Sequence, residues 1–225
     1  LLYGSSRGRT IAADRLKSPE SSEGDRHLAR WRRLGIAAAL YLTAVGVGLG
    51  SAWWVLRHAP AGAHQLTVGA WTGSTLAGSP DADLYTRARV ALEGLLALGR
   101  DETMYYVART DDRGRALRSQ CAYRIEGAPP AARWWSITAY ADDLFLFDAP
   151  NRQYSLNGRT ARLDANGRFV MSTGPLPQPG LHWLPTPGRR GLVLTLRLYQ
   201  PSAELQAAPA KLAAPSIQPI GECAP

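Results

Sequence analysis

Histidine, cysteine, methionine and lysine are all scarce in this chain. Its 225 residues include four histidines, two cysteines and two methionines, and only two of its 26 basic residues are lysine. After residue 57 the histidines are His58, His64 and His182, too few and too scattered for a ligand cluster, so neither a metal nor a cofactor is expected. The chain has no C-x-x-C, no H-E-x-x-H, no G-x-x-x-x-G-K-[ST] and no G-x-G-x-x-G. Those absences remove dithiol redox chemistry, zinc proteolysis, P-loop phosphate binding and a dinucleotide fold. The part after residue 57 also lacks the G-x-S-x-G elbow of α/β-hydrolases. A basic stripe is missing too. The net charge is +8, but Arg109, Arg113, Arg115, Arg118, Arg124 and Arg133 are interleaved with acids and apolar residues, so no nucleic-acid partner is expected.

One long uncharged run is present. Residues 34–56, "LGIAAALYLTAVGVGLGSAWWVL", carry no charge. As a helix rising 1.5 Å per residue the run is roughly 34 Å long, against a hydrocarbon core of about 30 Å. Trp31 and the pair Trp53 and Trp54 stand near its two ends, where amphipathic rings favour the interfaces. A single transmembrane helix is expected, with the lipid bilayer as its partner. Arg26, Arg30, Arg32 and Arg33 precede the run, and only Arg57 and His58 follow it. That asymmetry predicts a cytoplasmic N-terminus and an exported C-terminal part, which places the chain in a bacterial inner membrane with residues 58–225 in the periplasm. The alternative is a signal peptide cleaved after Ala63, in "HAPAGA"; the length of the run and of the leader favour an anchor. Gly46 and Gly50 would let two such helices approach closely, giving a transmembrane homodimer.

Four segments are expected around this span. Residues 1–33, polar and without apolar periodicity, read as a disordered cytoplasmic leader, and residues 57–79 as a small-residue linker carrying one short strand. The remainder, 80–225, reads as the folded domain. A helix is predicted over about 80–98, with Ser79 as cap, Pro80 in the first position and Gly99 at its end. Its stripe of Leu84, Ala88, Ala91, Leu92, Leu95 and Leu96 is expected to pack on a sheet. From Glu102 the apolar period becomes two. Strands are predicted in "ETMYYVART", "SQCAYRIEG", "ARWWSITAY", "LFLF", "RQYSL", "TARL", "RFVMST" and "LVLTLRLY", with a hairpin turn at "DANG" and a proline-rich loop over 174–188. The fold class expected is mainly β, an antiparallel sandwich with one flanking helix.

Alternation along "ARWWSITAY" places Trp135, Ile137 and Ala139 on one face and Trp134, Ser136, Thr138 and Tyr140 on the other. The first face is apolar enough for core. The second mixes rings and hydroxyls and suits either a half-buried surface or a shallow ligand groove. This strand, with "NRQYSL", "HWLPTPG" and "LVLTLRLYQP" after it, resembles the domain-of-unknown-function 1214 family over about residues 65–222. The resemblance implies a jelly-roll-like β-sandwich and, as in short members, an N-terminal membrane helix. It brings no catalytic residues. His182 stands where the family usually has asparagine, and Gln153 interrupts its asparagine-arginine-tyrosine run.

Candidate ligand-binding residues are Trp134, Ser136, Tyr140, His182, Trp183 and Arg197. Cys121 and Cys223, an even pair in an exported domain, are expected to form a disulfide; two free thiols are the alternative. The function expected is a membrane-tethered module that binds or scaffolds an envelope protein or glycan. The rival is a hydrolase or lyase using Ser136, Tyr140, Asp142, His182 or Arg197, and it requires those side chains to meet in one pocket.

Overall fold

The computed structural model describes residues 20–58, 64–92 and 98–223. By its internal contacts the chain divides into two units, Leu1–Arg57 and His58–Pro225. The first contains one helix, α1, Glu20–His58. Within α1, residues 26–55 are long and apolar enough to cross a membrane. The helix starts earlier than the expected span: residues 20–33, assigned from sequence to the disordered leader, continue it. Adding turns to an existing helix needs no new nucleus, so a polar flank joins it easily. The rest of the leader, 1–19, lies outside the described residues. At Gly46 and Gly50 of α1 an added Cβ would meet no atom within 4 Å beyond the neighbouring backbone of the helix itself.

The second unit is a two-sheet β-sandwich. Its strands are β1 Gln65–Val68, β2 Trp71–Ser74, β3 Thr103–Ala108, β4 Tyr123–Gly127, β5 Ala132–Ala141, β6 Ser155–Asn157, β7 Phe169–Gly174, β8 His182–Pro185, β9 Leu192–Pro201 and β10 Ser216–Pro219. One sheet has the order β1-β2-β3-β9-β5-β6, the other β10-β4-β7-β8. All pairs are antiparallel except β7 with β8, which departs from the expected antiparallel pattern. The segment joining them, 175–181, has only to carry the chain back along a four-residue strand, which a short loop can reach.

The core lies between the sheets. Trp135, Ile137 and Ala139, the face of β5 expected inside, are buried there with Trp71, Tyr106, Leu194, Leu196 and Leu198 from the same sheet. Tyr123, Ile125, Phe169, Met171 and Ile217 face them from the other sheet. The rings of Trp135 and Phe169 meet across the gap at 4.7 Å between centroids. Every core residue lies between Trp71 and Ile217, so this unit carries a complete core without α1. Cys121 and Cys223 are joined, with Cα atoms 5.0 Å apart.

Several predicted elements are altered by packing. Residues 65–79, expected as a linker with one strand, supply two strands, β1 and β2. Gly69, at φ +59°, makes the tight turn that pairs Val68 with Trp71, and the Trp71 indole N–H donates to the buried Pro215 carbonyl at 2.7 Å. "HWLP", read as loop, forms β8, and the tail forms β10. "LFLF" and "TARL" form only isolated bridges, Tyr140 to Leu146 and Leu163 to Phe169. "DANG" is the expected turn: Asp164 accepts from the Asn166 and Arg168 N–H groups at 2.8 and 2.9 Å.

The flanking helix α2 runs Leu84–Leu92, not 80–98, and residues 93–97 lie outside the described residues. Asp83 caps it by accepting the Thr86 N–H at 2.6 Å, so a carboxylate displaces the expected Ser79 cap. Of the expected packing stripe, Leu84 is 85% exposed and Leu92 50%, Ala88 is half-buried, and Leu95 and Leu96 lie outside the described residues. Tyr85, Thr86, Arg89 and Val90 form the side that faces the sheet. A second short helix, α3 Ala203–Ala207, is capped by Ser202.

Candidate functional site

Strand pairing sorts the side chains of the six-stranded sheet into rows, because partners in register share a face. On the face away from the core, one row runs Thr67, Thr72, Val107, Thr195, Thr138, Ser155 across six strands. The next runs Tyr105, Arg197, Ser136, Asn157, and the third Thr103, Tyr199, Trp134. Along the middle of β3, β5 and β9 this face is mostly hydroxyls, rings and an arginine, with Val107 among them, set on a rigid sheet whose other side is core.

Four of the sequence candidates share this face: Trp134, Ser136, Tyr140 and Arg197. The Arg197 guanidinium donates from Nη2 to Tyr140 Oη at 2.9 Å and from Nη1 to Thr138 Oγ1 at 3.4 Å. Its Cζ lies 5.3 Å from the Tyr140 ring centroid, within cation–π range. Among the described residues no carboxylate pairs with it. Trp134 packs edge-on to Tyr199 with centroids 5.0 Å apart. Ser136 is 4% exposed and forms part of the floor.

At the β1-β2-β3 end, α2 closes over the same face and leaves a groove of about 240 Å³. Thr72, Ser74, Tyr105 and Val107 contribute from the sheet, and Tyr85 and Arg89 from the helix. Tyr105 joins the groove to the arginine row, since it stands directly across from Arg197. Burial pushes the Tyr105 phenol up, the Tyr199 phenol adds to this, and the Arg197 guanidinium opposes it. Tyr105 is therefore a neutral hydroxyl that can donate and accept at physiological pH. The Asp83 carboxyl is held down first by its bond from the Thr86 N–H, then by the Thr86 hydroxyl, and it serves as the cap of α2.

The remaining candidates lie elsewhere. His182 and Trp183 are on β8 at the edge of the other sheet, where they line a wider depression of about 820 Å³ with Asn151, Gln153, Arg162 and Leu181. The Trp183 indole N–H donates to the Gly174 carbonyl at 2.9 Å. The His182 Nε2 is buried without a hydrogen-bond partner, and burial, then the nearby Arg162 charge, push its imidazole pKa down. Asp142 and Asp143 form a turn whose carboxylates both face Arg190. Ser136, Tyr140 and Arg197 therefore come together, whereas Asp142 and His182 do not join them.

Tyr85, Arg89, Tyr105 and Tyr199 were missed by the sequence reading. Period two in "TMYYVA" separates Tyr105 from Tyr106, but which of the two points outward depends on the opposing sheet. The sequence placed this helix against a sheet, but gave no signal of which face or end it would cover. Among the described residues no group of His, Cys, Asp and Glu is placed to hold a metal.

Residues 102–203 match the family described as "Protein of unknown function (DUF1214)". That segment contains β3 to β9, including all six candidate residues. The crystal structure of the VPA0106 protein from Vibrio parahaemolyticus aligns over 97% of this chain at 18% identity, with a TM-score of 0.55, which shows a shared fold. A crystal structure of an uncharacterized protein from Burkholderia cenocepacia aligns over 66% at 15% identity, with a TM-score of 0.39. This chain spans 60% of the Vibrio protein's length and 46% of the Burkholderia protein's. No curated protein matches it.

Proposed function

We propose that this chain, which matches the DUF1214 family over residues 102–203, is a membrane-anchored periplasmic binding module whose groove under α2 takes one sugar ring of an envelope glycan. The observation that carries the reading is the groove itself, which gathers the Tyr85 and Tyr105 rings, the Thr72 and Ser74 hydroxyls and the Arg89 guanidinium in one concave space. Its volume of about 240 Å³ is small beside the roughly 300–1,000 Å³ of pockets for drug-sized ligands, and a single ring suits it. Rings supply flat apolar contact, while Thr72, whose proton goes to the Val107 carbonyl, can accept and Ser74, which accepts the Leu76 and Ala77 N–H groups, can donate, the two kinds of bond a sugar requires. The apolar helix α1 and the arginines before its span support the anchor and its orientation. A hydrolase or lyase needs an acid and a base at one centre, and Asp142 and His182 stand apart from Ser136, Tyr140 and Arg197.

The test is a saturation-transfer NMR and thermal-shift screen of residues 58–225 against mono- and disaccharides of envelope polymers. Binding that falls about tenfold in Tyr105→Phe and Arg89→Gln is expected, since each loses a hydrogen bond to the ligand. A folded domain that takes none of these sugars overturns the glycan reading. A reporter fused to the C-terminus and active only in the cytoplasm overturns the orientation.

A further inference from the structure

We infer that the sugar ring under α2 is one unit of an acidic glycan, and that Arg197, one strand beyond the groove, bonds a carboxylate on the neighbouring unit. The inference rests on the glycan reading of the groove and names the class of sugar chain.

The groove itself does not select charge. Among the described residues its lining has one carboxylate, Asp83, and one guanidinium, Arg89. Next to it the balance changes. Tyr105 lines the groove from β3 and stands in register with Arg197 on β9, so the guanidinium belongs to the adjacent strand, about 4.8 Å away across the ladder. On the face they share, the rows beside Arg197 hold threonine, serine, tyrosine, tryptophan, valine and asparagine, and no acid. Among the described residues Arg197 has no ion pair, and its Nη1 and Nη2 are held by the neutral Thr138 and Tyr140 hydroxyls.

The guanidinium is open to a ligand. Arg197 is half-buried, and its Nε makes no bond in the fold and is not one of the buried unpaired polar atoms, so the Nε–H faces solvent. Thr138 and Tyr140 use one N–H on each Nη, and a carboxylate can take the Nε–H together with a remaining Nη N–H. Those hydroxyls and the Tyr140 ring, 5.3 Å from Cζ, also fix the fork in place. A held cation partly withdrawn from water attracts an anion more strongly than a mobile surface arginine does. Trp134 and Tyr199, half-buried and packed edge-on at 5.0 Å, stand in the next row of the same face and offer flat apolar contact to the ring that carries the carboxylate.

The test uses residues 58–225, whose core is complete, and two pairs of sugars that differ in charge: cellobiouronic acid against cellobiose, and N-acetylglucosaminyl-N-acetylmuramic acid against diacetylchitobiose. Titration calorimetry reads affinity, and the Arg197 Nε–H NMR signal, assigned with Arg197→Lys, reads position. The acid of at least one pair is expected to bind about tenfold or more tightly than its neutral partner and to move the Arg197 signal, since it adds a charge-assisted bond. Arg197→Gln is expected to bring that acid level with its neutral partner, whereas Arg89→Gln weakens both alike and keeps the preference. The wild-type signal carries the test if Arg197→Gln does not fold. Binding of none of the four by the folded domain overturns the glycan reading and this inference with it. Acids no tighter than their neutral partners, an unmoved Arg197 signal, or a preference that survives Arg197→Gln or vanishes in Arg89→Gln overturns this inference alone.

Discussion

Replacing Cys223 with serine isolates the effect of the crosslink. Cys121 is 3% exposed and packed in the core, whereas Cys223 is exposed near the chain end, so the substitution opens no cavity. The tail is already held at β10, where Ser216–Pro219 pairs with β4 in register, and the Ile220 N–H donates to the Ala122 carbonyl at 2.8 Å. The folded state thus changes little, and the loss falls on the unfolded state. Two cysteines 102 residues apart close a long loop. The chain-entropy relation gives about 4.7 kcal/mol at 25 °C for a loop of that length, and engineered cases commonly deliver less. For residues 58–225, urea unfolding should show a loss of about 3–5 kcal/mol in Cys223→Ser, and the same loss in the wild type under reductant. The urea dependence of stability should steepen, because the uncrosslinked chain exposes more surface when unfolded. A loss below about 1 kcal/mol with unchanged steepness would refute the entropic reasoning.

Three further outcomes follow from the geometry. Trp71→Phe removes the indole donor from the buried Pro215 carbonyl and should cost about 2–4 kcal/mol in urea unfolding; a cost under about 0.5 kcal/mol would show that this bond does not hold β2 to the segment before β10. The Asp111 carboxylate, 2% exposed, is pushed up by burial, but the Arg115 and Arg113 N–H groups and the Arg115 side chain outweigh this and hold it below its ordinary 3.8. Its stabilisation is present above pH 3.8 and lost as pH falls through the lower folded value, so Asp111→Asn should be about 1.5–3 kcal/mol less stable at pH 7, with the gap closing in acid. His182 has the opposite charge type: burial, then Arg162, lower its folded pKa below 6.5, so the unfolded chain takes up the proton first and stability declines as pH drops below that value. His182→Asn should remove that part of the decline between pH 7 and 5, and an identical pH profile would count against a buried neutral imidazole.

Local pattern carried much of this protein. An uncharged run between arginines is enough to define the apolar part of α1, because spanning a bilayer asks only for length and apolarity. The alternation in "ARWWSITAY" and "LVLTLRLY" was sufficient to separate Trp135, Ile137, Leu196 and Leu198 from Trp134, Ser136, Arg197 and Tyr199, since side chains on a strand alternate whatever the strand pairs with. The cysteine pairing was legible from an even count of two.

Tertiary packing decided the rest. "WTGS" and "HWLP" are too short and too poor in alternation to announce strands, and they become β2 and β8 only because β3 and β7 offer them free edges. The leucines of α2 form a regular stripe, yet the helix turns Tyr85 and Arg89 toward the sheet, where hydroxyls and a guanidinium-bearing row already stand. A periodic pattern specifies that two faces differ, and only the partner surface chooses which of them is covered. For the same reason the sequence could name Arg197 and His182 as candidates but could not reveal that they lie on different sheets.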